Sequence, residues 1–450
     1  MGARAELLRL RDTADPIAHS PVELAGLRLQ AVRELFAERR AQVSLLDRLA
    51  RENGISEIAS LADAVPLLFS HTTYKSYPHA FLKNKQWGRL QQWLAMVSVH
   101  SPKDVNIDGV DDVDAWIERL WQAGHLVATT SATSGKVSLL PRDAEDHEFS
   151  RAFATRMPGW PKPIKPDNSR HYFSFGPKSG SYVAMFMGQF IADAFARPDS
   201  RHYLSNERLR VAEVSRMAEL RTRIAEGIAA PSEIATLETR SAAQAAATAA
   251  RLDEMLETIL AVRHEPMYIV GLWGQLWSLM QRAREKGIAP GQFNSETLVS
   301  TGGGMKGAKL PADYQEQILD FLGPVRTMQA YGMSELSWFQ PRCPANRYHQ
   351  VPWIVPMLLN EDGSKLIDVR ADSAKGGIVK GRFGCIDVSL SARWGGLISG
   401  DQVEIDLSPQ CACGYPGPTI LPTITRYSDI GDDRISCAGT IDAYVSGALN

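Results

Sequence analysis

The feature that most constrains this chain is a loop rich in hydroxyl side chains. Residues 129 to 138 read Thr-Thr-Ser-Ala-Thr-Ser-Gly-Lys-Val-Ser. Small residues let main-chain amides approach a ligand, while hydroxyls and an ammonium donate hydrogen bonds, a combination suited to a polyphosphate. The preceding segment, Ala123 to Ala128, is short and partly apolar, which predicts a strand running into the loop. The alternative interpretation is a Ser/Thr-rich surface turn.

The loop is not a Walker A sequence. That motif needs a glycine five positions before the second glycine, at the position occupied by Thr130, and a hydroxyl residue after its lysine, where Val137 follows Lys136. The nature of the loop therefore depends on the segments that follow it along the chain.

Three downstream segments occur in a recognisable order. They are Tyr331-Gly332-Met333-Ser334-Glu335, Ser399-Gly400-Asp401, and Asp432-Asp433 followed by Ile435 and Gly439. Together with the loop they resemble the signatures of the adenylate-forming superfamily, which includes acyl-coenzyme A synthetases, adenylation domains and luciferases. Four motifs in family order are more specific than any one of them, since each alone is an ordinary turn or helix start.

The loop resembles the family's Thr-Ser-Gly-Thr-Thr-Gly-x-Pro-Lys signature but departs from it at several positions. Ser134 stands at the family's second threonine and Lys136 at its variable position. The matching residues are Thr130, Ser131, Thr133 and Gly135, and the departures are Ala132, Val137 and Ser138 in place of glycine, proline and lysine.

Other details resemble one branch, the phenylacetate–coenzyme A ligases and acyl-protein synthetases. They are Cys411-Ala412-Cys413-Gly414, the stretch Thr301-Gly302-Gly303-Gly304-Met305-Lys306, and the phrases Pro66 to Phe69 and Thr72 to Ser76.

The resemblance implies an AMP-forming ligase that activates a carboxylic acid as an acyl-adenylate with ATP and Mg²⁺. The acyl group would then pass to a thiol, amine or hydroxyl acceptor, which includes an acceptor protein. A biosynthetic ligase that condenses an acid with an amine, hydroxyl or other nitrogen nucleophile, and a non-catalytic adenylate-binding scaffold, are the alternatives.

The resemblance also implies roles for individual residues. Glu335 would hold Mg²⁺, Ser334 would donate to the α-phosphate, and Asp401 would accept from the ribose hydroxyls. The phosphate-binding residues would be Thr130, Ser131, Thr133, Ser134, Gly135 and Lys136. The adenine would lie against Gly302, Gly303 and Gly304, with Tyr331 and Gly332 at its border, and Arg426 would belong to the nucleotide-binding hinge region.

The cysteines suggest a second site. An odd number of cysteines in a large chain argues against a disulfide framework. Cys343, His349, Cys411 and Cys413 supply three sulfurs and one imidazole, a full tetrahedral set for structural Zn²⁺. The phenylacetate–coenzyme A ligase branch is similar in carrying such a site. The alternative is a group of buried thiols beside a surface histidine.

The sequence ends at Asn450, soon after the hinge motif, where the family continues into a mobile domain that carries a lysine. We therefore expect that domain to be absent, with Lys306 or Lys136 as candidate substitutes for its lysine. Acyl-protein synthetases carry the acyl chain on a cysteine near the C-terminus, which makes Cys437 a candidate acyl acceptor. The alternative for Cys437 is a buried apolar cysteine.

The order of predicted elements indicates an α/β fold, an adenylate-forming N-terminal domain with mixed α/β subdomains and a small β-rich lobe. Residues 1–100 read as an N-terminal helical region, 101–376 as the α/β nucleotide- and acyl-binding core, and 377–450 as the β-rich lobe ending at the hinge. Within that lobe we predict short strands at Ile378 to Lys380, Cys385 to Leu390 and Val403 to Leu407.

Composition excludes little. A net charge of −2 gives no reason to expect nucleic acid or an anionic membrane surface as a partner. A start without a basic and apolar leader, and apolar runs too short to span a bilayer, predict a cytoplasmic protein.

Overall fold

The structure is a computed structural model, and it describes residues 2–130, 136–302, 310–367, 377–431 and 433. Contacts between residues divide the chain into two compact units. The first contains the described residues of 1–130, 136–150 and 331–450, and the second contains those of 151–330. The chain thus leaves the first unit near residue 150 and returns to it at residue 331.

The α-helices of the described residues, in chain order, are α1 Ala3–Arg9, α2 Ala25–Arg40, α3 Ser44–Glu52, α4 His79–Lys83, α5 Trp87–Val97, α6 Val113–Gln122, α7 Ala144–Arg156, α8 Val183–Phe195, α9 Val211–Ala225, α10 Pro231–Ala261, α11 Trp273–Glu285, α12 Tyr314–Leu322 and α13 Tyr427–Ile430. Short 3₁₀ turns lie at Leu10–Asp12, Pro16–Ala18, Leu61–Leu67 and Thr73–Lys75.

The strands are β1 Phe69–Ser70, β2 Leu126–Thr129, β3 Leu139–Arg142, β4 Arg170–Gly180, β5 Ala196–Leu209, β6 Met267–Gly271, β7 Leu298–Thr301, β8 Arg326–Met328, β9 Ala330–Tyr331, β10 Gln340–Pro341, β11 Tyr348–His349, β12 Ile354–Leu359, β13 Ile378–Asp387, β14 Gly396–Asp406, β15 Thr419–Ile420 and β16 Thr425–Arg426.

The first unit is built on a sheet centred on the long antiparallel pair β13 and β14. β12 adds to β13, and β15 joins β14 to β11. The edge of β14 also carries two short strands, β1 in parallel at Phe69 and Ser70, and β16 antiparallel at Asp401 and Gln402. Residues 69–71 from the N-terminal region and the Ser-Gly-Asp motif near the C-terminal end are therefore brought side by side.

The N-terminal helices are fastened to this sheet by arginines as well as apolar packing. Arg28 on α2 is 5% exposed and donates to the main-chain oxygens of Pro352 and Val351 at 2.9 and 2.8 Å, just before β12. Buried residues of α2 and α3 repeat at helical spacing, which explains why the segments are helical: Ala31, Val32, Leu35 and Phe36, then Leu45, Leu46 and Leu49.

The second unit is a parallel sheet with the strand order β5-β4-β6-β7-β8. Parallel strands are buried and need helical crossovers, in agreement with the strand–helix alternation of the sequence. Helices α10, α11 and α12 pack on it through one apolar cluster, whose members include Phe173, Ile259, Ile269, Leu276, Val299 and Ile318. This mixed architecture confirms the predicted α/β class.

The β-rich lobe differs from prediction in its strands. The structure has two long strands, β13 and β14, where the sequence indicated three short ones. Gly381 and Gly384 interrupt the apolar alternation of β13, but each lies where a Cβ would crowd Leu358 or Leu359 of the neighbouring strand. The glycines allow close strand packing, so the strand continues through them. Among the described residues, no helix is long and apolar enough to cross a membrane.

Candidate functional site

The hydroxyl-rich loop is the connection of a β-hairpin. Strands β2 and β3 pair antiparallel from Leu126 with Arg142 to Thr129 with Leu139, so the loop begins and ends at adjacent positions. At its base the Ser138 amide donates to the Thr130 hydroxyl at 3.2 Å. The predicted strand before the loop is present as β2. The loop residues Ser131, Thr133, Ser134 and Gly135 lie outside the described residues.

Lys136, at the end of the loop, is held by main-chain acceptors. Its ammonium donates to the carbonyl oxygen of Tyr77 at 2.7 Å and to that of Lys75 at 3.4 Å. It also lies 5.3 Å from the centroid of the Tyr77 ring. This lysine ties the loop to residues 75–77, and a ligand would have to compete with these acceptors for its protons.

Tyr331, Asp401 and Arg426 form one cluster within the first unit. The Tyr331 phenol donates to Asp401 Oδ2 at 3.1 Å, and Arg426 Nε lies 3.0 Å from Asp401 Oδ1. The pairing of β14 with β16 places Asp401 directly opposite Arg426. Burial raises the pKa of Asp401, while Arg426 and the Tyr331 hydrogen bond oppose that rise. The carboxylate is thus buried with two donors around it.

Ser334 and Glu335 lie in the connection between β9 and β10. Glu335 keeps partial exposure, and its pKa is raised because the carboxyl is largely removed from water. Arg393, Lys75 and Arg142 lower that pKa and so favour the ionised form. An accessible, poorly hydrated carboxylate with hard oxygen donors suits a divalent cation such as Mg²⁺.

Gly332 serves packing in this structure. A Cβ built on Gly332 would overlap the ring of Phe339. The resemblance implies that Gly332 lies at the border of the adenine. The close approach of the Phe339 ring is a second reason for glycine at this position.

Lys75 is a residue that sequence reasoning left without a role. It ends the 3₁₀ turn that follows β1, and β1 pairs with β14 just before Ser399-Gly400-Asp401. Burial lowers the pKa of Lys75. Glu335 and Asp433 oppose this shift, and Arg426 adds to it. The ammonium group of Lys75 therefore lies among the residues that the motifs identify. The only sequence signal for Lys75 was the resemblance of the segment Thr72 to Ser76 to the acyl-protein synthetases.

Asp433, from the predicted hinge motif, is bound within the same cluster. Its carboxylate lies 2.9 Å from Arg382 Nη1 and 3.4 Å from His71 Nε2. Burial lowers the pKa of His71 to about 4, so the imidazole is neutral at neutral pH and contacts Asp433 as a dipole. Gly400, a residue of β14, lies against both side chains: a Cβ there would be 3.1 Å from Asp433 Oδ2 and 3.4 Å from the His71 ring.

The four predicted metal ligands come together in the first unit. Their ligand atoms all lie within 4.8 Å of one another: Cys343, His349, Cys411 and Cys413. Cys343 Sγ is 3.9 Å from Cys411 Sγ, and Cys413 Sγ is 3.3 Å from His349 Nε2. Both sulfur-bearing turns are tight, with the Cys343 amide donating to the Arg347 carbonyl at 2.8 Å and the Cys411 amide to that of Tyr415 at 2.9 Å.

This donor set fits zinc. A tetrahedral site with Zn–S bonds of about 2.3 Å places its sulfurs about 3.8 Å apart, close to the separation of Cys343 and Cys411. Burial lowers the pKa of His349 to about 4, so its imidazole is neutral, as a metal ligand must be. The sulfurs are also free rather than paired as a disulfide. The cluster can therefore bind a zinc ion.

Gly302 belongs to the second unit, where it directly follows β7. A Cβ at this position would meet no described atom within 4 Å, so the main chain here is open to a flat ligand. The remaining predicted residues, Gly303, Gly304, Lys306, Asp432 and Cys437, lie outside the described residues.

Sequence comparison finds no matching family model and no matching curated protein. Comparison with solved structures does find matches. A 2-hydroxyisobutyryl-CoA ligase in the postadenylation state, in complex with R3-HIB-AMP, superposes with a TM-score of 0.55 and 14% identity, over 92% of this chain and 69% of that one. An open conformation of 2-hydroxyisobutyryl-CoA ligase, in complex with 2-HIB-AMP and CoA, gives 0.51 and 14%, over 90% and 75%.

At this level of identity the likeness concerns the fold. It extends over about nine-tenths of the chain, 92% and 90% in the two comparisons. The chain therefore has the fold of these two 2-hydroxyisobutyryl-CoA ligase structures, while the narrower branch suggested by its motifs stays a prediction.

Proposed function

We propose that this chain activates a carboxylic acid as an acyl-adenylate, with ATP as the second substrate and Mg²⁺ as the metal. The single observation that carries the proposal is the gathering of Asp401, Tyr331 and Glu335 in one unit of an adenylate-forming fold. Tyr331 and Asp401 are 70 positions apart in the chain, and the fold brings their side chains into hydrogen-bonding contact.

In the proposed reaction an oxygen of the substrate carboxylate attacks the α-phosphorus of ATP. The bond from that phosphorus to the bridging oxygen breaks, and pyrophosphate leaves with the electron pair. Two anions must be brought together, so cationic and hydrogen-bonding groups are needed around them. Lys75 and the loop from Thr130 to Lys136 would supply these groups, Glu335 would hold the metal, and Ser334 would donate to the α-phosphate.

Asp401 has the right chemistry to orient the nucleoside. A carboxylate accepts hydrogen bonds at both oxygens, as two neighbouring ribose hydroxyls require. Its oxygens currently accept from Tyr331 and lie beside Arg426. We propose that the ribose hydroxyls join these donors; the contact of Gly302, Gly303 and Gly304 with the adenine stays a prediction from the sequence.

In the second step a nucleophile attacks the acyl carbonyl carbon, loses its proton, and displaces AMP. We propose a thiol, amine or hydroxyl acceptor. One of the structural relatives is captured with CoA, which supports a small thiol as the first acceptor to test. An acceptor protein, and transient acylation of Cys437, stay predictions from the resemblance to acyl-protein synthetases.

We also propose that the Cys343–His349–Cys411–Cys413 cluster holds a structural Zn²⁺. All four positions are taken by protein atoms, which leaves no open position for a substrate and is the mark of a structural site. Bound there, the metal would join the turn after β10 to the turn after β14.

The deciding experiment is ATP–pyrophosphate exchange with a panel of short, branched, aromatic and fatty acids. We expect one class of acid to drive exchange, and Asp401→Asn to lower it at least tenfold by weakening ATP binding. Asp406→Asn is the matched control, because Asp406 lies on the same strand, β14, and bonds the Ser408 amide at 3.0 Å.

Exchange with none of the acids, combined with tight ATP or AMP binding by calorimetry, would favour the non-catalytic scaffold. Exchange followed by condensation with an amine, hydroxyl or other nitrogen nucleophile, and not with CoA, would favour the biosynthetic condensing ligase. Equal exchange in Asp401→Asn and in wild type would remove the assigned role of Asp401.

A further inference from the structure

Two buried arginines surround the main chain at Ser334 to Leu336. Arg142 is 5% exposed and Arg393 is fully buried. Arg142 Nη2 donates to the carbonyl oxygens of Ser334 at 2.7 Å and Leu336 at 2.9 Å. Arg393 Nη2 donates to the carbonyl oxygen between them, that of Glu335, at 2.5 Å. Three successive carbonyls are thus held by two guanidinium groups.

The same arginines connect this segment to the hairpin of β2 and β3, which carries the hydroxyl-rich loop and is called the phosphate-loop hairpin below. Arg142 is the last residue of β3, the strand that leaves the loop after Ser138. Arg393 Nη1 donates to the carbonyl oxygen of Pro141, also on β3, at 2.5 Å. Any shift of β3 is therefore transmitted to Ser334 and Glu335 through hydrogen bonds from charged donors, which are stronger than neutral ones.

Arg393 also contacts the segment that carries Lys75. Its guanidinium carbon lies 5.4 Å from the centroid of the Tyr74 ring, within the range of a cation–π contact. The Tyr74 phenol in turn donates to the Trp394 carbonyl at 3.2 Å. One arginine thus touches the hairpin, the Glu335 segment and the residue before Lys75.

Two buried carboxylates complete this arrangement. Asp387 accepts from the Ser337 amide at 2.8 Å and so holds the end of the Glu335 segment. Asp146 accepts from the Ser391 amide at 2.9 Å and holds the turn before Arg393. Buried guanidinium groups are costly unless they are paired and hydrogen-bonded, and here opposite charges lie nearby. Buried, hydrogen-bonded arginines and an aspartate therefore hold the segment from both sides.

We propose that Arg142 and Arg393 are positioning residues that hold the Ser334–Glu335 main chain against the phosphate-loop hairpin, so that both side chains keep one orientation while the triphosphate binds. This inference rests on the proposed function. Its chemical basis is that a guanidinium presents several donors in a fixed plane, so two arginines can hold three carbonyls that a lysine could not hold in the same geometry. The guanidinium groups of both residues donate to main-chain carbonyls, so each acts through the segment it holds.

The test compares Arg142→Lys and Arg393→Lys with Arg28→Lys. Arg28 is a matched control, because it has the same 5% exposure as Arg142 and also donates to two successive main-chain carbonyls, but those belong to Val351 and Pro352. The kinetics of ATP–pyrophosphate exchange are measured well below the melting temperature of every variant. Amide hydrogen exchange of residues 331–341 gives a readout that is independent of activity.

We expect Arg142→Lys and Arg393→Lys to lower kcat about tenfold to hundredfold while KM for the acid changes less than about threefold, since small misplacements of reacting groups have effects of that size. Amide exchange at 331–341 should become faster in both. Arg28→Lys should show a similar decrease in melting temperature but keep its kcat. Amide hydrogen exchange at residues 331–341 should be unchanged in this variant.

Two results would overturn the inference while the proposed function stands. One is unchanged kcat in both variants, and the other is an equal loss of kcat in Arg28→Lys, which would show general destabilisation. A wild-type chain that catalyses no exchange with any acid overturns the proposed function, and the inference is lost with it.

Discussion

The phenol of Tyr331 donates a hydrogen bond to the carboxylate of Asp401, 3.1 Å away, although the two residues are 70 positions apart in the chain. Burial, followed by the nearby Asp401 charge, raises the pKa of Tyr331 well above its usual value, so the phenol stays protonated and can donate. The same bond lowers the pKa of Asp401 against the effect of burial. The Tyr331 hydrogen bond therefore favours the ionised form of Asp401, the carboxylate that we propose binds the ribose.

Tyr331→Phe should therefore weaken ATP binding while it keeps the ring. Loss of the hydroxyl raises the pKa of Asp401 further, which lowers the ionised fraction at a given pH, and removes one charge-assisted bond. We expect KM for ATP to rise about tenfold, with the melting temperature little changed. Steady-state exchange kinetics measure this. Tyr348→Phe is the control, since its ring lies 5.9 Å from that of Tyr331, and an equal rise in KM there would contradict the argument.

The affinity for Mg²⁺ should depend on pH through Glu335. Burial raises the pKa of this carboxyl, so a proton occupies it at pH values where an exposed glutamate is ionised. The cation must displace that proton, and apparent Mg²⁺ affinity should rise as pH increases through the raised pKa and fall below it. Calorimetric titration of Mg²⁺ in the presence of ATP, from mildly acidic to mildly alkaline pH, measures this.

Glu335→Gln provides the comparison for that titration. ATP itself changes charge over the same range, so the relevant quantity is the difference between wild type and variant. The variant should bind the cation more weakly and lose the part of the pH dependence that is due to Glu335. Identical pH profiles in the two proteins would exclude Glu335 as the ligand.

Much of the fold could be predicted from local sequence. Residues 206–260 are rich in the helix-favouring residues Ala, Arg and Glu with a break near Gly227, which predicts α9 and α10, and the apolar run at Leu298 predicts β7. These succeed because helix caps, breaks and buried strands leave a signature within one window of sequence. The division into units leaves no such signature, since it depends on where the chain returns at residue 331.

The site residues divide in the same way. Asp401 and Glu335 lie in short motifs with glycine or aromatic neighbours, which are readable from sequence. Arg142 and Arg393 lie in no motif, and their roles arise from carbonyls 192 and 58 positions away. A buried arginine that bonds main-chain oxygens cannot be recognised from local sequence. Every residue has a main-chain carbonyl, so the side chains of its partners give no signal.

Lys75 should be required for efficient adenylation. Its charge lowers the pKa of Glu335, so Lys75→Met should raise that pKa further and move the rise of activity with pH to higher pH. We expect slower ATP–pyrophosphate exchange at the low-pH side of the profile and partial recovery as the pH rises, read from pH–rate profiles. Lys103→Met, at an exposed position, is the control. A loss of rate in Lys75→Met without any shift of the profile would mean that the lysine acts elsewhere.

The cysteine cluster should contain one zinc ion per chain. The two turns that carry the sulfurs are joined, among the described strands, by the two-residue pairing of β11 with β15, so a metal that bonds both adds a strong cross-link. Metal analysis by mass spectrometry should find one equivalent in wild type and in Cys385→Ser, whose thiol is buried in β13 away from the cluster. Cys411→Ser should bind substantially less.

Removal of the metal with a chelator should lower the melting temperature of wild type. For a chain of 450 residues, with an unfolding entropy of about 2.1 cal/mol/K per residue, each kcal/mol of lost stability corresponds to about 1 °C. Chelation should leave Cys411→Ser nearly unaffected, because it already lacks the ion. Wild type without stoichiometric zinc, or a Cys411→Ser variant that keeps the full equivalent, would show that the four side chains pack together without a metal.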